Sequence, residues 1–216
     1  VSHELKTPLQ SIIGSAELLE NGLVKPEDQP RFLNRIHQEA DRLVALINDI
    51  LRLSQLDEGG ALPHEQVSVL ELAQEAARSL TAQAAAQAVH ISVTGTAGTV
   101  FGVRRLLYEI ARNLCENAVK YNVPGGSVTV EVAETDRDVT LLVRDTGIGI
   151  PEGDQSRVFE RFYRVDKSHS RAIGGTGLGL SIVKHAVAYH HGTLRLESQP
   201  GKGTVITVTL PKEPTE

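Results

Sequence analysis

The chain reads as an α+β protein in two parts, an antiparallel helical hairpin over residues 1–58 and a two-layer α/β sandwich with a mixed sheet over residues 59–216. Three observations predict this. Apolar residues recur in steps of four and three through the first fifty positions. A break rich in glycine and proline, DEGGALP, follows them. Beyond the break the apolar period alternates between two and about 3.6, as in strands and helices that share one core.

In the first part Leu5, Leu9, Ile12, Ala16 and Leu19 form the seam of a helix that packs on other helices, and a second seam runs through Leu33, Ile36, Ala40, Leu43, Ile47 and Ile50. Between them NGLVKPEDQP, with Gly22, Pro26 and Pro30, ends one helix and starts the next. Two helices alone bury too little apolar surface to be stable. Heptads on both predict that two hairpins pair as a four-helix bundle, so a homodimer is expected. With the seam at heptad positions a and d, His3 and Thr7 fall at b and f and face solvent. Pro8, inside the helical pattern, removes a backbone hydrogen bond at a cost of about 3 kcal/mol, which marks a place where bending matters.

In the second part HEQVSV reads as a short strand, LELAQEAARSLTAQAAAQ as a helix, VHISVTG as a strand and VRRLLYEIARNLCENAVKY as a helix. SVTVEVAET and DVTLLVRD alternate in period two about Asp136-Arg137, as a β-hairpin does. A helix from about Gly177 to His191 leads into TLRLES and GTVITVTL, strands joined across the Pro-Gly turn of QPGKG. The sum is one mixed sheet covered by helices on one face.

A net charge of -5 supplies no basic face for a phosphate backbone, so nucleic acid is not an expected partner. No apolar run approaches the ~18 residues that cross a bilayer, and VSHELK lacks the apolar core of a signal peptide. No membrane contact is expected of this stretch. The single cysteine, Cys115, cannot form an internal disulfide, which suits a reducing compartment. The chain opens inside an amphipathic pattern and contains no methionine, and it is expected to be part of a longer protein.

Several short segments carry chemistry. An exposed His3 followed by Glu4, with Thr7 one turn on, stands where a bundle helix ordinarily carries Lys or Glu. Asn113 and Asn117 in NLCENAVKYN are four apart and share a helix face, with Lys120 and Tyr121 about a turn further. DTGIGI sets the Asp145 carboxylate at a strand end beside Gly147 and Gly149, a setting suited to a flat base. GGTGLGLSIVK brings Gly175, Gly177 and Gly179 to a helix start, where unpaired N–H groups attract phosphate. Its glycine spacing is neither that of a dinucleotide fingerprint nor that of a Walker loop. The histidines at 37, 64, 90, 169, 185, 190 and 191 show no metal-ligand spacing, and His190-His191 reads as a cationic or capping pair at a helix end.

SHELKTPL strongly resembles the phosphoacceptor box of bacterial two-component sensor histidine kinases, and the asparagine box, DTGIGI and the glycine loop follow in that family's order over nearly the whole chain. FERFYRVDKSHSRAIG is similar to the family's aromatic box and mobile lid. The resemblance implies a Bergerat-type ATP-binding fold after a dimerising hairpin, with ATP and Mg²⁺ as cofactors. By it, His3 takes the γ-phosphoryl group, Glu4 accepts its other ring proton, and Thr7 serves a phosphatase activity toward the partner. Asn113, Asn117, Lys120 and Tyr121 would hold Mg²⁺ and phosphate oxygens, with Asn117 on the metal. Asp145 would accept from the adenine amino group, and Gly147 and Gly149 would allow close approach of the backbone. Arg161 and Arg164, and the loop of Gly175, Thr176, Gly177, Leu178, Gly179 and Leu180, would reach the phosphates. Phe159 and Phe162 would pack the base of a lid whose stretch from Lys167 to Ser170 is flexible.

The paired glycines of DEGGALP read as a hinge at Gly59-Gly60, and the resemblance further implies a response-regulator receiver aspartate as acceptor and a cytoplasmic location within a membrane-bound bacterial sensor. Two rivals remain at this point. One is a hydrolytic ATP-driven clamp of the same fold, which needs a glutamate where Asn113 stands. The other is a degenerate kinase that binds nucleotide and acts as a dimeric scaffold.

Overall fold

The two heptad seams become α1 (Ser2–Glu20) and α2 (Gln29–Asp57) in a computed structural model that describes residues 2–57, 62–165 and 175–213. The expected boundary and hinge at Gly59-Gly60, and the stretch from Lys167 to Ser170, lie outside the described residues. α1 continues through a buried Pro8, and the Thr7 hydroxyl donates to the His3 carbonyl at 3.1 Å. It ends in a Schellman motif. Leu23 N–H donates to the Leu18 carbonyl and Gly22 N–H to that of Leu19, with Gly22 at φ +65°, where a side chain is disfavoured.

The seams divide into two sets. Leu5, Ile12, Leu19, Ile36, Ala40, Leu43 and Ile50 are half-buried within the chain, whereas Leu9, Ala16, Leu33 and Ile47 stay exposed, Leu33 at 59%. Ile13, Val44 and Leu51 add to that apolar strip.

The second part opens with β1 (Glu65–Ser68), α3 (Val69–Ser79), α4 (Thr81–Ala86), β2 (His90–Gly95), β3 (Thr99–Gly102) and α5 (Arg104–Lys120). It continues with β4 (Ser127–Glu134), β5 (Asp138–Asp145), α6 (Glu152–Gln155), α7 (Gly179–Tyr189), β6 (Thr193–Gln199) and β7 (Gly203–Pro211). The five-stranded sheet has the order β2-β4-β5-β7-β6; β2 runs parallel to β4 and the other pairs are antiparallel, so the sheet is mixed.

Three expectations need correction. The single helix over LELAQEAARSLTAQAAAQ is two: the chain breaks at a buried Leu80, and the Thr81 hydroxyl caps the Arg78 carbonyl at 2.9 Å. TVFG is a strand that the sequence reading passed over; four residues next to glycine are too few for a period to register. It pairs with β1 in a separate two-stranded ladder, with Ser68 opposite Thr99. The short α6 was likewise unexpected.

Local chemistry accounts for several boundaries. The Ser68 hydroxyl accepts the Glu71 N–H at 3.3 Å, an N-cap for α3. Inward positions of the central strands alternate as a half-covered sheet requires: Val128, Val130 and Val132 on β4 lie beside Val139, Leu141 and Val143 on β5. Leu72, Ile110, Leu114 and Val183 of α3, α5 and α7 close this core from one side.

His190 ties two helix ends together. Its Nδ1–H donates to the Ala186 carbonyl at 2.7 Å, so its Nε2 carries the lone pair that accepts the Val103 N–H at 3.0 Å. Burial holds its pKa below the usual histidine value, so it is a neutral cap and not a cation.

The hairpin rests directly on the sandwich. Leu46 and Leu53 of α2 pack against Leu178 and Ile182 at the start of α7, with Leu5, Ile50 and Phe162 around them.

Candidate functional site

A cavity of about 670 Å³ opens between α5, the end of β5, the loop before α7 and α2. From α5 it receives Asn113, Glu116, Asn117 and Lys120, which recur three and four positions apart and so share one face; all four are half-buried. The opposite face of α5 is core, which fixes the helix rotation and aims these side chains.

Asn113 donates to the Glu109 carbonyl at 2.8 Å and to its carboxylate at 3.3 Å. Its Oδ1 lies 2.8 Å from where a Cβ at Gly179 would stand, so glycine there leaves room for the amide oxygen. Two amide oxygens with few protein ligands around them fit Mg²⁺, a hard cation that keeps waters and takes its remaining ligands from phosphate. Among the described residues no group of three or more His, Cys, Asp or Glu forms an all-protein metal cage.

The Lys120 pKa falls to about 8, chiefly through burial; Glu116 opposes the shift, and the charges of Arg164 and of Arg42 on α2 add to it. Its ammonium lies 5.5 Å from the centre of the Tyr121 ring. Burial likewise pushes the Tyr121 phenol upward.

Asp145 closes β5. Its Oδ1 accepts N–H bonds from Gly147 at 2.8 Å and Thr204 at 3.2 Å, and both go to the same oxygen. Oδ2 keeps its lone pairs for a donor in the cavity. Burial outweighs those two bonds and raises the carboxyl pKa.

In the loop before α7, Gly175 and Gly177 have φ +135° and +73°. Gly175 lies against the Lys120 ammonium, and the Gly177 carbonyl accepts the Phe162 N–H at 2.9 Å. Thr176, Gly177, Gly179, Leu180 and Arg164 all line the cavity.

Three residues assigned to nucleotide contact sit elsewhere. Arg161 is outside the cavity; it donates to His185 Nε2 at 3.1 Å, an acceptor because His185 Nδ1–H is committed to the Ser181 carbonyl. Leu178 is fully buried against α2. Gly147 is buried, and a Cβ there would lie 2.2 Å from the Tyr121 carbonyl oxygen, so its glycine serves packing of the chain on itself. Gly149 does line the cavity, but its own requirement comes from φ +68° and from the Gln199 carbonyl 2.1 Å from a Cβ.

Other residues went unnoticed or were misplaced. Glu116 lines the cavity and pairs with Arg112 at 3.5 Å. Glu109 was legible in principle, as an acid four positions before Asn113 on the apolar face of α5. Tyr163, whose hydroxyl donates to Asp154, and Ala45, Asn48 and Asp49 of α2 gave no local signal.

On α1, whose Leu5 packs on the cluster of Leu46, Leu53, Leu178 and Ile182, His3, Glu4 and Thr7 are exposed, as the heptad register predicts.

Comparison with known proteins agrees with this arrangement. Residues 1–59 match the His Kinase A (phospho-acceptor) domain, and residues 102–214 match the histidine kinase-, DNA gyrase B- and HSP90-like ATPase family. The sensor-like histidine kinase SenX3 of Mycolicibacterium smegmatis is 41% identical over 218 residues, covering 99% of this chain and 56% of the relative. The chain thus spans about half the length of the mycobacterial relatives it matches. Among solved structures, the mycobacterial sensor histidine kinase MprB is 33% identical with a TM-score of 0.61, covering 71% of this chain and all of that one. Full-length ShkA in complex with AMPPNP is 28% identical with a TM-score of 0.72, covering 97% of this chain and 44% of that one.

Proposed function

The chain belongs to the histidine kinase family, and on that premise we propose that it autophosphorylates His3 from Mg²⁺–ATP and passes the phosphoryl group to an aspartate on a response-regulator receiver domain. One observation carries this: Asn117 and Lys120 of α5, Asp145 of β5 and the Gly175–Gly179 loop converge on one cavity, and α2, the hairpin partner of the helix bearing His3, forms a wall of that cavity.

Each group has a task that its setting supports. Asp145 Oδ2 accepts from the adenine amino group while Oδ1 stays with the backbone. Lys120 and Arg164 neutralise the phosphates. Asn117, with Asn113, would supply amide oxygens to Mg²⁺, a cation that would neutralise phosphate charge. Glu4 takes the proton on one ring nitrogen of His3, leaving the other with a lone pair for in-line attack. Transfer then needs mainly positioning and charge neutralisation. Thr7, exposed one turn from His3, would orient water in a phosphatase step toward the regulator.

The exposed apolar strip of Leu9, Leu33, Ile47 and Leu51 supports a homodimeric four-helix bundle through the hairpin over residues 1–58, with the ATP-binding domain over residues 59–216. The parent protein is proposed to be a membrane-bound bacterial sensor with this part in the cytoplasm; no helix among the described residues is long and apolar enough to cross a membrane. The hydrolytic clamp is disfavoured by the amide at Asn113 and by the pairing of Glu116 with Arg112.

The test is incubation with γ-labelled ATP and Mg²⁺ of the native chain and His3→Gln. An acid-labile, alkali-stable label lost in the variant is expected. Label that persists in His3→Gln removes His3 from the reaction. Steady phosphate release without labelled protein points to the clamp.

A further inference from the structure

Ala45, Asn48 and Asp49 of α2 line the cavity opposite the loop before α7. The Thr176 hydroxyl donates to Asp49 Oδ2 at 2.6 Å, and the same Thr176 oxygen accepts the Leu178 N–H at 3.3 Å. One bond from the hairpin therefore holds both the hydroxyl and the backbone of the glycine loop. Beside it the contact is dry: Leu46 and Leu53, 3% and 4% exposed, pack on Leu178 and Ile182. Lys120, against Gly175, and Asn117 lie in the same cavity.

Resting on the reading of this cavity as an ATP site, we propose that Asp49 is an internal competitor for the phosphate-binding loop. When no nucleotide is bound, its carboxylate takes the Thr176 donor that a polyphosphate would use and fastens α2 to the sandwich. Thr176 has a single hydroxyl proton and serves one anion at a time. A polyphosphate arriving beside Lys120 brings like charge against the Asp49 carboxylate in a half-enclosed cavity, where screening is weak. The bond from Thr176 to Asp49 then breaks, and one polar tie between hairpin and sandwich goes with it. Occupancy is thereby coupled to release: a loaded domain comes free of its own α2 and can move to a phosphoacceptor, while an empty one stays fastened.

The test measures binding of AMPPNP with Mg²⁺, and of adenosine, by calorimetry on the full chain as wild type, Asp49→Ala and Asp49→Asn. Asp41→Asn, in an exposed pair with His37 on the same helix, is the control. In Asp49→Ala the AMPPNP dissociation constant is expected to fall at least about tenfold, the factor that one charge-assisted hydrogen bond is worth. Adenosine binding stays unchanged, because the base end lies at Asp145. Asp49→Asn falls by less, since its amide oxygen still accepts from Thr176 without the charge. An unchanged or weakened AMPPNP constant in Asp49→Ala overturns the proposal. An equal gain for adenosine does so too, because it means general opening of the cavity. Loss of His3 labelling with the AMPPNP response intact would sink the kinase reading alone; no AMPPNP binding in any variant overturns both.

Discussion

Asn113 and Glu109, one turn apart on α5, are joined twice: the Asn113 amide donates to the Glu109 backbone carbonyl and to its carboxylate. Both bonds use the amide nitrogen, so the orientation of Asn113 is decided, and its oxygen is the end turned to Gly179. Glu109 is itself 6% exposed and does not line the cavity, whereas Asn113 does. Glu109→Ala is expected to lower the rate constant of autophosphorylation about tenfold, by loss of one bond to a charged partner, with a smaller change in KM for ATP. Gly179→Ala should reproduce that loss, because its Cβ displaces the same oxygen. Rapid-quench labelling kinetics on both variants, with circular dichroism as a check on folding, decides this.

Asp145→Asn replaces an acceptor oxygen by an NH₂ group that faces either the backbone donors or the adenine amino group, and nucleotide affinity is expected to drop at least about tenfold. Because burial raises the Asp145 pKa, affinity in the native chain should begin to fall at a higher pH than an ordinary carboxylate would produce. AMPPNP titrations from neutral to acid pH measure it. A midpoint in the ordinary aspartate range contradicts the assignment.

Lys120 titrates at about 8 in the free chain. A lysine lowered in the folded state is charged below that value and neutral above it, so affinity for a triphosphate should decline as pH rises through about 8. Phosphates stabilise the ammonium, so binding near that pH takes up a proton. Calorimetry in buffers of different ionisation enthalpy should show this uptake, and Lys120→Arg should abolish it. The folded state prefers the neutral amine, so the same group makes the free chain more stable as pH rises from about 8 toward the ordinary lysine value.

His190 is held neutral by burial, with both ring nitrogens committed. Its folded pKa lies below the unfolded one, so the unfolded chain binds the extra proton. Stability from this group is full at neutral pH and is lost as pH falls below the ordinary histidine value of about 6.5. His190→Ala is expected to cost about 2–4 kcal/mol, through one orphaned N–H at Val103 and a cavity, and to flatten the acid dependence of Tm. Protonation would set a charge near His64 and His191, which opposes it further. Thermal melts from pH 5 to 8 on both chains are the measurement.

Much of this was legible before any tertiary contact was known. The seams foretold α1 and α2, and period-two runs foretold the hairpin of β4 and β5, because each of those elements satisfies its own backbone and shows one face to a core. The asparagine box was legible for the same reason: Asn113, Asn117 and Lys120 share a helix face whatever that helix packs on. The α3–α4 break at Leu80 and the strand at Thr99–Gly102 were not, since a buried leucine and a ladder to β1 decide them.

The sequence by itself determined which chemical groups the chain carries, the order of its helices and strands, and, through the periods, which face of each is apolar. Only the tertiary structure decided what those groups meet. It turned Arg161 to His185 and away from the cavity, buried Leu178 against α2, and brought Asp49 to Thr176 across 127 positions of sequence. The physical reason is that hydrogen bonds within a helix and alternation within a strand are set by neighbours a few residues away and leave a period in the sequence. A contact between a hairpin and a sandwich depends on how two finished surfaces fit, and it leaves no period to read.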